Sequence, residues 1–398
     1  MAAQVVKMRA RGFICVSAHP QGCRLNVEQQ ARGITDHRPA GLEGPRNVLV
    51  IGASTGYGLA SRIATAWGFQ ARTLGVFFER PPDGTRTATA GFYNTVAFHE
   101  QAKRDGLFAA SINGDAFSDE VKRQAIEVIR KNMAQVELVI YSLASPKRTH
   151  PRTGQAHNSV IKPVGKPYTN KTIELDSQKV VTITVPPAEE KEITDTVAVM
   201  GGEDWKLWMN ALLEENLLAP EARTLAYSYI GPAVTWPIYR DGTIGLAKKD
   251  LEAAGRELDR TLREGLGGHA WISVNKAVVT QASAAIPVVP LYLSLLLPAM
   301  KDKGLEEGPL EQMRRLCFDH LAQGKTPALD EAGRIRLDDR ELRPDVQAAI
   351  AETWPQVTTE NLLAITDFAG FRRRFRNLFG FDVDGVDYNQ PVETELGW

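Results

Sequence analysis

The chain has 398 residues, 43% of them apolar and 24% charged, with a formal net charge of −1. Near-neutrality leaves no global field to attract nucleic acid or an anionic membrane. Three cysteines, Cys15, Cys23 and Cys317, are too few and odd in number for a disulfide framework, which fits a reducing compartment.

In chain order, "MAAQVVKMRARGFICVSAHP" carries a short apolar run broken by Arg9 and Arg11 and lacks the long apolar region of a signal peptide. Cys15 and Cys23 do not have the close pairing of a zinc site and have only His19 nearby, so no metal is expected. From about Val48 strands and helices alternate. "NVLVIG" is a continuous apolar strand, as expected when both faces are covered. "GLASRIATAWG" follows at helical spacing. "ARTLGVFFE" is a second strand ending at Glu79, and "GLFAASING" a third. "SDEVKRQAIEVIRKNMAQ" is a helix with Ser118 as N-cap and Asp119 and Glu120 in its first turn. "VELVIYSLAS" is a fourth strand. This order implies right-handed parallel crossovers, hence an α/β, Rossmann-like doubly wound sheet.

The rhythm breaks after Ser145. Residues 146–187 form an excursion in which "KTIELDSQKVVTITVPPA" alternates as a small hairpin turning near Asp176 and Ser177. Helices resume with "EDWKLWMNALLEENLL" and "LAKKDLEAAGRELDRTLREGL", and "WISVNKAVVTQ" reads as another buried strand. "IPVVPLYLSLLLPAM", residues 286–300, is too short to span a bilayer and contains Pro287, Pro290 and Pro298, so it reads as a buried helix or pocket wall. The chain from about Lys301 reads as mostly helical, and "FRRRFR", residues 371–376, as a solvated helix face. "DVDGVDYN" lacks the ligand spacing and terminal glutamate of a calcium loop. The expected organisation is an N-terminal segment (1–47) packing on the core, a dinucleotide-binding half (48–145), hairpin and helical excursions forming the substrate side (146–300), and a helical C-terminal region (301–398).

The chemistry begins at "VLVIGASTGYGLASR". Gly52, Gly56 and Gly58 stand where a strand becomes a helix. Glycine permits the tight turn and a close backbone approach, and the helix N–H groups then face an anionic diphosphate. The G-x-x-x-G-x-G spacing is that of short-chain dehydrogenases and reductases. Glu79, about 20 residues on at the end of the next strand, can hydrogen-bond both hydroxyls of an adenosine ribose and would repel a 2′-phosphate, so NAD(H) is expected over NADP(H). Arg80 beside it is the group that could accept such a phosphate. Asp115 and Ala116 end the third strand, where adenine rests. Leu143 and Ala144 end the fourth, beside the nicotinamide ribose.

Short-chain reductases use a Tyr and a Lys four residues apart on one helical face, and no such pair follows the sheet strands. Instead "TWPIYRDGTIGLAKKDLEAAG" holds Tyr239 and Lys248 with eight residues between them. Nine steps of about 100° would put them on opposite faces of one helix. They converge only if the chain turns between them, and "RDGTIG" supplies that turn.

These stretches, with "RGFICVSAHPQGC", "LGVFFERP", "SINGDAFSDEVK", "YSLASPKRTHP", "AVMGGEDW", "KAVVTQASAAIPVVPLYLSLL" and "FGFDVDGVDY", make the chain resemble the single-chain trans-2-enoyl-CoA reductases and NADH-dependent enoyl-acyl-carrier-protein reductases of fatty-acid synthesis, over nearly its whole length. The resemblance implies that Gly52, Ala53, Ser54, Thr55, Gly56 and Tyr57 bind the NADH diphosphate. It implies that Phe78, Glu79, Asp115, Ala116, Leu143 and Ala144 flank the adenosine and nicotinamide. Tyr239 is the implied proton donor, and Lys248 an implied nicotinamide-ribose and active-site contact. Val278, Val279 and Thr280 form a further implied cofactor segment. Tyr229 matches the family's substrate-contacting tyrosine, with Tyr227 as its rival in "LAYSYIG". Asn275, where an apolar residue is more usual, and "PAVTWPIY" depart from the pattern; they bear on substrate preference rather than on the chemistry.

The expected reaction is NADH-dependent reduction of the C2–C3 double bond of a trans-2-enoyl thioester on CoA or acyl carrier protein. Tyr239 would meet the developing enolate, and the charge of Lys248 would lower the tyrosine's pKa. A carbonyl reductase acting on 3-oxoacyl groups and a non-catalytic NAD-sensing protein are the alternatives. A cytoplasmic monomer, with no nucleic-acid partner and no membrane insertion, is the expected setting.

Overall fold

The structure, a computed structural model, describes residues 3–84 and 86–398. Seven strands form one sheet: β1 Asn47–Ile51, β2 Arg72–Phe77, β3 Ala109–Asn113, β4 Val136–Tyr141, β5 Leu218–Ser228, β6 His269–Val274 and β7 Arg334–Arg336. Their order is β7-β6-β5-β4-β1-β2-β3, and every neighbouring pair is parallel. Strand order reverses between β1 and β4, which opens a crevice at the carboxyl ends of those strands.

The apolar runs become strands because the sheet is covered twice. On β1, Val48 and Val50 pack with the helix Gly56–Gly68 on one face. Leu49 and Ile51 pack on the other, with Trp205, Trp208 and Leu258. Alternate side chains of a strand point to opposite faces, so a strand buried on both sides must be apolar throughout. The fully buried Arg62 ties the helix Gly56–Gly68 to β2 and β3, donating to Thr73 Oγ1 at 3.2 Å, Ser111 Oγ at 2.9 Å and the Ala110 carbonyl at 2.6 Å. Ser118 caps the helix Asp119–Asn132, its hydroxyl accepting from the Val121 N–H at 3.2 Å.

The α/β, doubly wound architecture is as expected, with local corrections: β3 stops at Asn113, before Asp115 and Ala116, and β4 stops at Tyr141, before Leu143 and Ala144. β2 stops at Phe77, two residues before Glu79. β6 stops at Val274, and the "NKAVVT" stretch runs on as irregular chain. β5 was hidden by Pro220 and by Glu221, which adopts φ +58° at a break in the β5–β4 register. β7 is a three-residue strand inside the region read as helical.

The excursion contains the hairpin Tyr168–Glu174 with Lys179–Val185, closing where expected at Glu174↔Lys179, and a smaller one, Lys147–Thr149 with Ala156–Asn158. The greasy segment forms the helix Val289–Lys301, buried along nearly its whole length. No helix among the described residues is long and apolar enough to cross a membrane. "FRRRFR" lies on the helix Phe368–Asn377 with Phe371 and Phe375 buried, and Arg373, Arg374 and Arg376 pair with Asp384, Glu306 and Asp382. The two ends of the chain meet: Gln4 bridges Val392, the His19 N–H donates to the Phe379 carbonyl at 2.8 Å, and a Cβ on Gly22 would stand 1.8 Å from the Gly380 oxygen.

Candidate active site

β1 runs into the glycine turn. Gly52 adopts φ +88°, and a Cβ there would lie 2.2 Å from the Ser142 carbonyl oxygen; a Cβ on Gly58 would lie 1.9 Å from that of Gly52. These two glycines let the turn fold against itself and against the end of β4. Thr55, at the N-cap of the helix Gly56–Gly68, makes no side-chain capping bond. The first-turn N–H groups are therefore left for an external acceptor, which is the donor set a diphosphate needs.

Around this turn the carboxyl ends of β1 to β4 bring the expected cofactor residues to one edge. Ala53 is fully buried, and Ser54 Oγ donates to Glu79 Oε1 at 2.7 Å. Gly91 makes room for that carboxylate, since a Cβ there would meet it at 2.0 Å. Burial holds the Glu79 carboxyl above its ordinary pKa, opposed by the Ser54 and Thr89 hydroxyls. Phe78 is 79% exposed. The Arg80 guanidinium is turned away to the Thr87 carbonyl at 2.9 Å. Asp115 caps its own turn through the Phe117 N–H at 3.0 Å, and the Ala116 carbonyl accepts from Lys122 Nζ at 3.1 Å and Trp208 Nε1 at 3.0 Å. Leu143 and Ala144 follow β4, half-buried and exposed respectively. Thr55, Gly56, Glu79, Val278, Val279 and Thr280 line one cleft of about 760 Å³. Tyr57 faces elsewhere, its hydroxyl donating to the Lys276 carbonyl at 2.8 Å and accepting from Gln312 at 2.6 Å.

The chain does reverse between Tyr239 and Lys248. The Tyr239 carbonyl accepts from the N–H groups of Gly242 at 3.2 Å and Gly245 at 2.9 Å, and the helix Thr243–Leu266 begins there. Lys248 Nζ donates to the Tyr227 carbonyl, near the end of β5, at 2.9 Å. Burial brings its pKa down to about 8, with Glu252 opposing. Tyr229 and Lys248 line a second cavity of about 1040 Å³. The Tyr239 ring stands edge-on to that of Tyr229, 5.0 Å between centroids. The expected lowering of the tyrosine by Lys248 is not found. Burial alone acts on Tyr239, and it pushes the phenol up to about 12.

The two neighbouring tyrosines have different surroundings. The Tyr227 hydroxyl lies 2.6 Å from Ser61 Oγ, whereas Tyr229 turns to Glu341, donating to Oε1 at 3.1 Å. Lys249 is exposed. Of nine tyrosines in the chain, eight have hydroxyls hydrogen-bonded within the protein. Among the described tyrosines, only Tyr239 has a hydroxyl without a protein partner.

Sequence reasoning missed Glu341, Lys276 and Tyr292, all buried beside Tyr229 and the 277–280 segment. Tyr292 carried the one available signal: a hydroxyl inside "PLYLSLLL" must find a buried acceptor.

A family model described as the trans-2-enoyl-CoA reductase catalytic region matches residues 86–322, and one described as the NAD(P)H binding domain of trans-2-enoyl-CoA reductase matches 5–84. The chain belongs to the trans-2-enoyl-CoA reductase family. This reductase is 56% identical over 397 residues to an enoyl-[acyl-carrier-protein] reductase [NADH] of Opitutus terrae, covering 98% of this chain and 99% of the relative. It is 54% identical over 395 residues to one of Flavobacterium johnsoniae, with coverage of 98% and 99%. The solved structure of Treponema denticola trans-2-enoyl-CoA reductase in complex with NAD superposes with a TM-score of 0.94 at 48% identity, covering 98% of each chain.

A third model, described as an enoyl reductase FAD binding domain, matches residues 329–392. The residues of this segment do not build a flavin cradle. Its only sheet strand is the three-residue β7, with no glycine turn leading from it into a helix. Arg334, Arg336, Arg340 and Arg343 pair with Asp330, Asp338, Glu307 and Asp345, and Arg373, Arg374 and Arg376 are paired as noted above, so that among the described arginines of this segment only Arg372, over the Phe368 ring, has no carboxylate partner for its charge.

Proposed function

We propose that the active site of this NADH-dependent enoyl thioester reductase is built around the Tyr239 hydroxyl. The observation that carries the reading is that this phenol alone, among nine, is left without a protein partner, beside the Tyr229 wall of the larger cavity. Bound NADH supplies the hydride that adds to Cβ of the trans-2-enoyl thioester. As charge develops on the thioester oxygen, Tyr239 donates its free O–H to it, a bond strengthened in the transition state and therefore accelerating, and a proton delivered to Cα from Tyr239 or water then completes the saturated thioester. Its raised pKa keeps the phenol protonated across the working pH range. Lys248, anchored at the end of β5, holds the nicotinamide ribose and adds positive charge. The turn Gly52, Ala53, Ser54, Thr55, Gly56 and Tyr57 takes the diphosphate on the N–H groups from Ser54 onward, those of Gly52 and Ala53 being held by the Val76 carbonyl at 2.8 and 3.0 Å. Phe78 and Glu79 take the adenosine ribose, and Asp115 and Ala116 the adenine side. Leu143, Ala144, Val278, Val279 and Thr280 flank the nicotinamide end, and Tyr229 contacts the substrate. With Arg80 committed to Thr87, the ribose edge keeps the carboxylate and lacks a guanidinium for a 2′-phosphate, which favours NADH. Free thiols at Cys15, Cys23 and Cys317 fit a cytoplasmic setting. The acyl carrier is CoA or acyl carrier protein, and the family resemblance implies a monomer.

The test is NADH oxidation with crotonyl-CoA against acetoacetyl-CoA. Turnover of the enoyl substrate is expected, and oxidation with the ketone alone would overturn the reading.

A pH dependence follows from Lys248. Its charged form is fully present below about 8 and is lost as pH rises through that value. The kcat/KM profile should therefore fall on its alkaline side with a midpoint near 8, and Lys248→Met should give a low profile lacking that limb. An unshifted limb in the Met variant would assign the titration to another group.

A further inference from the structure

We propose that Glu341 is a positioning residue for the reaction, acting through Tyr229; this rests on the reading above that Tyr229 and Tyr239 serve the substrate. Glu341 follows β7 and is completely buried. Its Oε1 accepts from the Tyr292 hydroxyl at 2.6 Å and from the Tyr229 hydroxyl at 3.1 Å, and its Oε2 accepts from the Ala277 N–H at 2.7 Å. Gln347 Nε2 braces the same place, donating to the Glu341 carbonyl at 2.7 Å and to the Tyr292 oxygen at 3.2 Å. The buried Lys276 supplies the compensating charge nearby, its ammonium donating to the Ala277 carbonyl at 2.8 Å.

One carboxylate therefore joins three walls: the chain leaving β5, the segment leading into Val278–Thr280, and the apolar helix Val289–Lys301. Tyr229 and Gln347 line the larger cavity, and Lys276 and Ala277 line the other, so Glu341 sits in the partition between them. Burying a carboxylate is costly unless its lone pairs are filled, and here three donors fill them with charge-assisted bonds.

The link to the reaction is mechanical. The Tyr239 hydroxyl has no protein partner, so neighbouring packing and its main-chain turn set its position. The ring edge of Tyr229 is part of that packing. Tyr229 is in turn held at its hydroxyl by Glu341. Loss of this bond loosens the surface against which Tyr239 is aimed, and small misplacements of a reacting group have large kinetic effects.

The test is a double-mutant cycle read in kcat, with NADH affinity from fluorescence and thermal midpoint measured in parallel. Glu341→Gln in the otherwise unaltered enzyme should lower kcat by about tenfold, as expected for loss of a hydrogen bond to a charged group. In a Tyr229→Phe background, where the bond is already gone, the same change should alter kcat by less than about twofold. Equal losses in both backgrounds would mean that Glu341 only stabilises the fold, and the proposal would fail. If the Gln variant does not fold, Glu341→Asp retains the charge that Lys276 requires but withdraws the carboxylate. It is expected to show the same dependence on Tyr229, and equal losses would again refute the idea. The two readings fail separately: full activity in Tyr239→Phe would remove the active-site reading, whereas an inactive Tyr239→Phe with an additive cycle would remove only the role of Glu341.

Discussion

Tyr239→Phe should lower kcat for enoyl thioester reduction by about 10²–10³-fold, the usual loss on removing one donor aimed at a developing oxyanion. Three features make this the largest kinetic effect expected. The hydroxyl has no structural duty, because it bonds to nothing in the protein. The phenylalanine ring keeps the edge-on contact with Tyr229 at 5.0 Å. The turn that carries it is held by main-chain bonds from Gly242 and Gly245, which the substitution does not touch. The variant should therefore fold normally and bind NADH with unchanged affinity, so the deficit appears in the chemical step. Steady-state kinetics with crotonyl-CoA, beside an NADH titration by fluorescence, provides the check. A kcat within threefold of the parent would show that the oxyanion is met by something else.

The largest stability effect is expected at Lys122 and Asp204. Both side chains are almost completely buried, 2.9 Å apart. Lys122 Nζ also donates to the carbonyls of Ala116 and Phe117, and Asp204 Oδ2 accepts from the Tyr141 hydroxyl at 3.1 Å. Asp204→Ala leaves an ammonium in the core without its counter-charge, a change that typically costs about 3–5 kcal/mol. Urea denaturation without cofactor should show a loss of that size. Lys122→Met combined with Asp204→Leu should recover most of it, since removing both charges removes the uncompensated one. Because Lys122 and Trp208 together orient the Ala116 carbonyl, on the proposed adenine side, Asp204→Ala should also weaken NADH binding, unlike Tyr239→Phe. A loss below about 1 kcal/mol would mean that water reaches the site and solvates the lysine.

Legibility from sequence followed the physics of burial. β1 and β4 were plain because both their faces are covered and the runs are unbroken. The helix Asp119–Asn132 was plain because Ser118 and the acidic first turn mark its start. β5 was concealed because Pro220 and the positive φ of Glu221 interrupt the strand pattern where the register shifts. β7 was concealed because only Ile335 of its three residues is buried. At the site, the chain reversal between Tyr239 and Lys248 was legible because a turn signal falls between them. Glu341 could not, because "LDDRELRPD" reads as a solvated charge run. Its burial arises from three elements far apart in sequence, and no local pattern encodes that.

The meeting of the two ends has a consequence of its own. The cleft proposed for NADH is lined by Cys15, Val16 and Ser17 from one end of the chain and by Arg374, Asn377 and Phe379 from the other. The Gly22–Gly380 approach clamps them together. A ligand that binds this cleft only in the folded protein stabilises the folded wall by mass action: at 100 times its Kd it adds about 2.7 kcal/mol against unfolding. A protease nick in either terminal segment would open the same wall, so the dinucleotide guards both ends at once.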